Sequence, residues 1–145
     1  MHLSRYSYKV NDNFLDYEFT SIGPKGYIKK VARFSRLAGN IFSLGLGDLQ
    51  EKTDDIDDMS VTNNGDSRKV LATVAHIVYD FTAKHPNARI IARGSTASRT
   101  RLYRMGITNH WNEINSDFKL FGRKNKIRQA FEIGKEYDTF LIQRR

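Results

Sequence analysis

Residues 63–92, NNGDSRKVLATVAHIVYDFTAKHPNARIIA, contain the clearest structural signals in the sequence. The Asn-Asn-Gly-Asp segment at its start predicts a turn, because Asn and Gly tolerate the left-handed conformation, and Asp66 or Ser67 is suited to cap a helix. Apolar residues then recur at near-helical spacing: Val70, Val74, Ile77, Val78 and Phe81. This pattern predicts an amphipathic helix over residues 67–83 that buries its apolar stripe.

A strand and a second helix follow this first helix. The segment Lys-His-Pro-Asn at residues 84–87 ends the first helix, because proline cannot continue it. A short apolar strand is then predicted at residues 89–93, and a second helix near residues 98–105. The middle of the chain therefore contains a βα unit.

The first part of the chain is rich in residues that favour strands. Gly23-Pro24-Lys25-Gly26 predicts a hairpin turn, because proline fixes one φ angle and the glycines allow positive ones. The predicted strands cover residues 6–10, 15–22, 27–34, 41–47 and 59–62. A helix is an alternative for residues 27–34, whose two faces differ little in polarity, and the glycines in the strand 41–47 permit a bulge or a close backbone approach.

Two further strands are predicted near the C-terminus, at residues 118–121 and 139–143, with a basic loop between them. That loop contains Arg123, Lys124, Lys126 and Arg128. We therefore expect an α+β fold with an antiparallel or mixed sheet of about six or seven strands and two main helices packed on it. A single domain over residues 1–145 is expected, with a strand-rich part (1–62), a helix-strand-helix part (63–107) and C-terminal strands (118–145).

Composition supports a single folded domain. The chain has 145 residues, of which 39% are hydrophobic and 12% aromatic. No apolar stretch approaches the roughly 20 residues of a membrane span, and the N-terminal residues lack the apolar run of a secretory signal, so a cytoplasmic protein without membrane contact is expected. The chain contains 0 Cys, which excludes disulfides and thiolate chemistry. No metal site is predicted, because the acidic run at residues 54–58 lacks the glycine and closing Glu of a calcium-binding loop.

Positive charge is concentrated in the second half of the chain. The net charge is +8, but residues 1–66 contain 8 Lys/Arg and 10 Asp/Glu, whereas residues 67–145 contain 16 and 6. This imbalance suits an anionic partner such as nucleic acid, a phosphorylated cofactor or an acidic protein. A solvated basic surface without a ligand is the alternative interpretation.

Arginines and hydroxyl side chains cluster around the start of the second predicted helix. The positive end of a helix and arginine guanidinium groups both favour phosphate, so this cluster predicts a phosphate or nucleic-acid site. Its candidate residues are Arg93, Ser95, Thr96, Arg99, Thr100, Arg101 and Arg104. Ordinary helix capping by Ser95, Thr96 or Ser98 is the alternative. Arg99 and Tyr103 are expected to share one face of this helix, and Leu102 and Met105 to face the core.

A second candidate anion site is the loop that enters the first helix. It consists of Asn63, Asn64, Gly65, Arg68 and Lys69. Backbone N–H groups at a helix start could hold phosphate here, but the loop lacks the glycine spacing and the Lys-Ser/Thr pair of a P-loop. Helix capping without a ligand is again the alternative.

Several segments resemble a family of small bacterial proteins of unknown function. The similar segments are residues 63–66, 69–74, 94–96, 99–107 and 137–144, so the resemblance spans nearly the whole chain. It implies a self-contained domain and supplies no activity, substrate or catalytic residue.

Residues 102–107, Leu-Tyr-Arg-Met-Gly-Ile, are also similar to a segment of the GNAT acyltransferase superfamily. In that superfamily a strand, an acyl-CoA-binding helix, another strand and a short helix with a Tyr follow one another. The resemblance implies that acetyl-CoA is the cofactor, that Tyr103 is the general acid and that the loop 63–69 holds the pyrophosphate. The glycine-rich loop of the superfamily is absent, and Ile107 stands where an aromatic residue is usual.

Three functions are compatible with these patterns. The first is a small basic domain that binds a polyanion and acts on RNA or DNA, as toxins of toxin–antitoxin pairs do, with exposed Tyr103 or Trp111 stacking on a base and no cofactor. The second is an acyl-CoA-dependent N-acyltransferase. The third is a non-catalytic interaction module with an acidic protein partner, in which the strand 41–47 pairs at a sheet edge.

Overall fold

The computed structural model describes residues 4–50, 55–57, 64–94 and 96–145. These residues form β1 (Lys9–Val10), β2 (Asp16–Gly23), β3 (Gly26–Ala38), β4 (Ile41–Gln50), β5 (Asp55–Asp57), α1 (Ser67–Lys84), β6 (Arg89–Ala92), α2 (Ala97–Asn109), α3 (Trp111–Asp117), β7 (Phe118–Lys124), β8 (Ile127–Ala130) and β9 (Thr139–Arg144). The helices and strands confirm the predicted α+β class. The strand predicted at residues 59–62 lies outside the described residues.

The strands form one mixed sheet. Eight of them lie side by side in the order β1-β2-β3-β4-β6-β9-β7-β8, and the short β5 pairs with β4 beside this row. Neighbouring strands are antiparallel except β4 and β6, which are parallel. The expected number of six or seven strands was therefore too low. One cause is β8, because the two-residue turn before it uses Asn125 and Lys126 at positive φ without any glycine to signal it.

Most local predictions in the first two thirds of the chain are confirmed. Gly23 pairs with Gly26 across the predicted hairpin turn. Residues 27–34 belong to β3, so the helical alternative for them is wrong. The first helix, α1, ends one residue later than predicted, α2 extends past its predicted end to Asn109, and α3 was not predicted.

Helices cover one face of the sheet. Phe81 of α1 stacks on Phe34 of β3 with ring centroids 3.8 Å apart, and it meets Phe42 of β4 edge-on. A second buried cluster lies under α2 and α3 and consists of Ala92, Leu120, Phe131, Tyr137 and Phe140. None of the helices in the described residues is long and apolar enough to cross a membrane. The opposite sheet face of β6, β9, β7 and β8 carries none of the helices that the structure describes.

Candidate ligand cleft

The parallel strands β4 and β6 diverge in the middle of the sheet. They pair from Ile41 and Arg89 as far as Leu44 and Ala92, where β6 ends. Further along, β4 pairs with β5 from Asp48 onwards. Among the described strands, residues 45–47 therefore pair with β3 on one side only. One edge of this backbone faces the space that the diverging strands leave between them.

A cleft of about 200 Å³ lies at this point of divergence. It is lined by Ser43, Leu44, Gly45 and Leu46 of β4, by Ile91 and Arg93, and by Arg99 and Tyr103 of α2. The lining combines apolar side chains with a phenol and two guanidinium groups. Its volume is below the roughly 300–1,000 Å³ of pockets that enclose whole drug-sized ligands. The cleft therefore fits a slender segment of a ligand better than a bulky one.

The junction between β6 and α2 brings Arg99 and Tyr103 to the cleft. Gly94 lies so close to α2 that a Cβ on it would be 2.4 Å from the backbone N of Thr100. The Thr96 hydroxyl caps α2 by accepting a hydrogen bond of 3.3 Å from the N–H of Arg99. Arg99 and Tyr103 are one helical turn apart, and both line the cleft. The prediction that these two side chains share a face is confirmed.

The other candidates of the arginine cluster have different positions. Thr100 is buried, and its hydroxyl bonds to the N–H of Gly94 at 3.1 Å and to the carbonyl of Thr96 at 3.1 Å. Arg101 is exposed, and Arg104 donates a long hydrogen bond of 3.4 Å to the carbonyl of Lys135. Ser95 lies outside the described residues. Of the candidates, only Arg93 and Arg99 line the cleft in the described part of the chain.

Two expectations about aromatic and apolar side chains near this site are wrong. Leu102 and Met105 are 38% and 47% exposed rather than buried, because the inner face of α2 begins with Tyr103 and continues with Ile107. Trp111 was expected to be exposed for stacking, but it is half-buried and packs on Phe131 with ring centroids 4.9 Å apart. Tyr103 is also half-buried and packs against both core clusters.

The amide of Asn64, in the second candidate anion site, holds the β2–β3 turn. Its Oδ1 accepts a hydrogen bond of 2.7 Å from the N–H of Lys25. Its Nδ2 donates to the Oγ of Ser21 at 3.2 Å and to the carbonyl of Gly26 at 2.9 Å. Asn64 is 1% exposed. Its side chain thus has a structural role in the hairpin that packs beside the start of α1.

The other described residues of this second candidate site, Gly65, Arg68 and Lys69, flank Asp66 in the sequence. Asp66 precedes α1 but does not cap it with its side chain, so the predicted capping role of Asp66 is wrong. Lys69 places its Nζ 4.3 Å from the ring centroid of Tyr6, Arg68 is exposed, and Gly65 has a φ of 75°. Asn63 lies outside the described residues. The start of α1 therefore has the Asp66 carboxylate beside it.

Sequence reasoning missed the residues that β4 contributes to the cleft. Ser43, Leu44 and Leu46 carry no chemical signature, and only the glycines at 45 and 47 signalled a close backbone approach. The strand 41–47 was also expected to pair at a sheet edge; residues 41–44 pair with both β3 and β6, whereas among the described strands residues 45–47 pair with β3 alone. Within the described ranges, no group of three or more His, Cys, Asp or Glu side chains could hold a metal ion.

The fold defines a small α+β protein with a cleft of about 200 Å³ at the point where the pairing of two parallel strands ends. The chain belongs to DUF6934, a family of unknown function whose model matches residues 2–145. This membership confirms the predicted resemblance to an uncharacterised family. No curated protein and no solved structure matches the chain, and the comparisons do not support the acyltransferase resemblance.

Proposed function

We propose that the cleft binds the acyl-pantetheine arm of an acyl-CoA thioester and that the protein transfers the acyl group to an amine. This is the activity that the acyltransferase resemblance implies. The observation that carries the proposal is the open backbone edge of β4 at residues 45–47, beside a cleft that also contains Tyr103. Among the three functions considered, acyl transfer makes the most specific use of this geometry.

The chemistry of the pantetheine arm matches the cleft. The arm is slender and extended, and it contains two amide groups separated by short apolar segments. An extended ligand with amide groups can add to an open strand edge through backbone hydrogen bonds, as peptides do in strand addition. Leu44, Leu46 and Ile91 provide apolar surface for the segments between the amides. A cleft of about 200 Å³ suits a slender segment of such an arm and is too small for a nucleotide base pair.

The cationic side chains and the order of elements fit the same ligand. Arg93 and Arg99 add positive charge to the cleft lining, and guanidinium groups bind the phosphate oxygens of a CoA molecule through charge-assisted hydrogen bonds. Apart from the short β5 between β4 and α1, the elements β4, α1, β6 and α2 follow one another as strand, helix, strand and helix, and Tyr103 lies on the last of them. This is the order that the resemblance implies.

Tyr103 is the side chain suited to general acid catalysis in this cleft. The acceptor amine attacks the thioester carbonyl carbon, the C–N bond forms and the C–S bond breaks. The Tyr103 hydroxyl donates its proton to the departing thiolate and regains one that the attacking nitrogen loses. The net reaction moves the acyl group to nitrogen and a proton to sulfur. A positioned acid of this kind contributes about 10²–10⁴-fold to the rate.

Binding of acetyl-CoA by two neighbouring arginine variants tests the proposal. Arg99 lines the cleft and Arg101, on the same helix, is exposed, so Arg99→Ala and Arg101→Ala remove the same charge from different places. In isothermal titration calorimetry, Arg99→Ala should raise the Kd for acetyl-CoA about 10-fold, as expected for one charged hydrogen bond. Arg101→Ala should change the Kd by less than about 2-fold.

Turnover by a third variant separates binding from chemistry. Tyr103→Phe should retain the wild-type Kd for acetyl-CoA and lower the acetylation rate of a polyamine or a lysine peptide by about 100-fold or more. The released thiol of CoA provides the readout. The proposal is wrong if the wild-type protein shows no heat of binding with acetyl-CoA at concentrations of about 1 mM, where weak ligands are still detected.

A further inference from the structure

The sheet face opposite the helices carries three rows of side chains across β6, β9, β7 and β8. Cross-strand register places Arg89, Gln143 and Lys119 in the first row. The second row contains Ile91, Leu141, Phe121 and Ala130, and the third contains Thr139, Arg123 and Arg128. We call these ten residues the open sheet face. An apolar row thus lies between two rows that contain cations.

The open sheet face has an uncompensated positive charge within its own strands. β6, β7, β8 and β9 contain one, three, one and one Lys or Arg respectively, and none of the four contains an Asp or a Glu. Arg89, Lys119, Arg123 and Arg128 are exposed on it. Carboxylates do flank these strands along the chain: Asp117 directly precedes β7, Glu132 follows β8 by two residues, and Glu136 and Asp138 lie in the loop before β9. Lys124 beside Glu136 lowers the pKa of that carboxyl.

The middle row offers planar and apolar surface. The guanidinium carbon of Arg128 lies 4.9 Å from the ring centroid of Phe121, so a cationic plane and an aromatic ring adjoin each other. Ile91 and Leu141 continue this row and are half-buried. Aromatic rings and guanidinium planes are the surfaces on which unpaired bases stack. Adjacent strands are about 4.8 Å apart and successive rows about 7 Å apart, so the two cationic rows are separated by about 13 Å.

We propose that the open sheet face binds single-stranded nucleic acid. Its bases lie along the apolar row, and its phosphates meet the cations of the rows on either side. A duplex presents phosphates on its outside and would leave the apolar row unused, whereas an unpaired strand uses both kinds of surface. The open sheet face and the cleft share Ile91 but are otherwise lined by different residues, so variants at the other residues test the two proposals separately.

Anisotropy of a labelled single strand tests this surface. The probe is an oligonucleotide of about 12 nucleotides, as DNA and as RNA, which is within the site sizes of sheet-based binders. The variant Lys119→Ala/Arg123→Ala removes two cations of the open sheet face, and Lys9→Ala/Lys25→Ala removes two exposed lysines elsewhere. The first variant should raise the Kd at low salt about 10-fold or more, and the second less than about 2-fold.

Salt dependence and competition complete the test. Loss of two phosphate contacts should reduce the slope of log Kd against log salt by about 1.4 in the first variant. Equal weakening by both variants, or displacement of the oligonucleotide by polyglutamate as readily as by unlabelled RNA, would overturn the proposal in favour of non-specific charge or an acidic protein. Acetyl-CoA binding by the first variant should equal that of the wild type, so failure here leaves the cleft proposal unaffected.

Discussion

The phenol of Tyr6 donates a hydrogen bond of 2.6 Å to Oδ2 of Asp66, the residue directly before α1. The same carboxylate oxygen accepts a hydrogen bond of 2.5 Å from the hydroxyl of Ser21 in β2. The backbone N–H of Tyr6 donates to Oγ1 of Thr73 in α1 at 2.9 Å. One carboxylate therefore joins the N-terminal segment, the sheet and the start of the long helix.

Replacement of Asp66 should destabilise the protein measurably. Asp66→Ala leaves the hydroxyls of Tyr6 and Ser21 without their shared acceptor in a partly buried site, so the free energy of unfolding should fall by about 1–3 kcal/mol. Urea denaturation measures this change. Asp138→Ala, which removes an exposed carboxylate, should change it by less than about 0.5 kcal/mol. Equal stability of the two variants would show that the Asp66 contacts contribute nothing.

The buried ion pair between β3 and β4 gives a second prediction. Lys30 is 1% exposed, and its Nζ lies 2.7 Å from Oδ1 of Asp48. Removing one partner leaves a charge in a buried position, so Asp48→Ala should lower the free energy of unfolding by about 3–5 kcal/mol. Replacing both partners, in Lys30→Met/Asp48→Leu, should restore much of that loss, because no unpaired charge remains. A double variant no more stable than Asp48→Ala would contradict this.

Stability at high pH should depend on tyrosines that are buried or half-buried in the folded protein. Burial, and after it the hydrogen bond to Asp117, raises the pKa of Tyr79, and burial and Asp66 raise that of Tyr6. The folded protein therefore holds these protons to higher pH than the unfolded chain, whose tyrosines titrate near about 10. The unfolded state binds fewer protons above that pH, so the free energy of unfolding should fall as the pH rises.

Tyr79→Phe tests this pH dependence. The variant removes one of the groups with a raised pKa, so its stability should decline less steeply than that of the wild type above pH of about 10. Urea denaturation at a series of pH values gives both curves. Parallel curves would show that Tyr79 does not hold its proton in the folded state more tightly than in the unfolded chain.

Local signals in the sequence were sufficient for the hairpin and for α1. Gly26 has a φ of 90° that favours glycine, and the apolar stripe of α1 repeats within one continuous segment. Gly23 pairs with Gly26, but it also lies so close to Asn64 that a Cβ on it would be 2.0 Å from the Asn64 carbonyl oxygen. The parallel pairing of β4 with β6 could not be predicted in this way, because all of α1 separates the two strands in the sequence. No short segment contains the information for that pairing. The position of the cleft depends on that pairing.

The candidate site was predictable where the arginine cluster contributes to it, because Arg93 and Arg99 were both candidates and both line the cleft. The four-residue spacing of Arg99 and Tyr103 was enough to place them on one face. The same reasoning failed for Leu102 and Met105, because hydrophobicity alone does not say which stripe of a short helix meets the sheet. The glycine at position 45 indicated a bulge or a close backbone approach. That it lines a cleft could be seen only from the structure, in which β6 ends beside it.

A close approach of two backbones at the start of α2 gives the last prediction. A Cβ on Gly94 would lie 2.4 Å from the backbone N of Thr100 and 2.8 Å from the carbonyl carbon of Arg99. Backbone atoms in the first turn of a helix cannot move aside to relieve a clash, whereas the end of a flexible side chain can. Gly94→Ala should therefore destabilise the protein by about 3 kcal/mol, at the upper end of ordinary overpacking, and shift Arg99 and Tyr103 away from the cleft.

Gly106→Ala is the matched control on the same helix. The nearest atom to a Cβ there would be Cδ1 of Leu71 at 3.2 Å, which is the movable end of a side chain, and alanine favours the helix by up to about 1 kcal/mol over glycine. Thermal unfolding should thus show a clear loss for Gly94→Ala and little change or a gain for Gly106→Ala. Acetyl-CoA binding should weaken in Gly94→Ala alone, since only that change moves the start of α2. Wild-type stability and binding in Gly94→Ala would mean that this contact does not determine the position of the cleft residues.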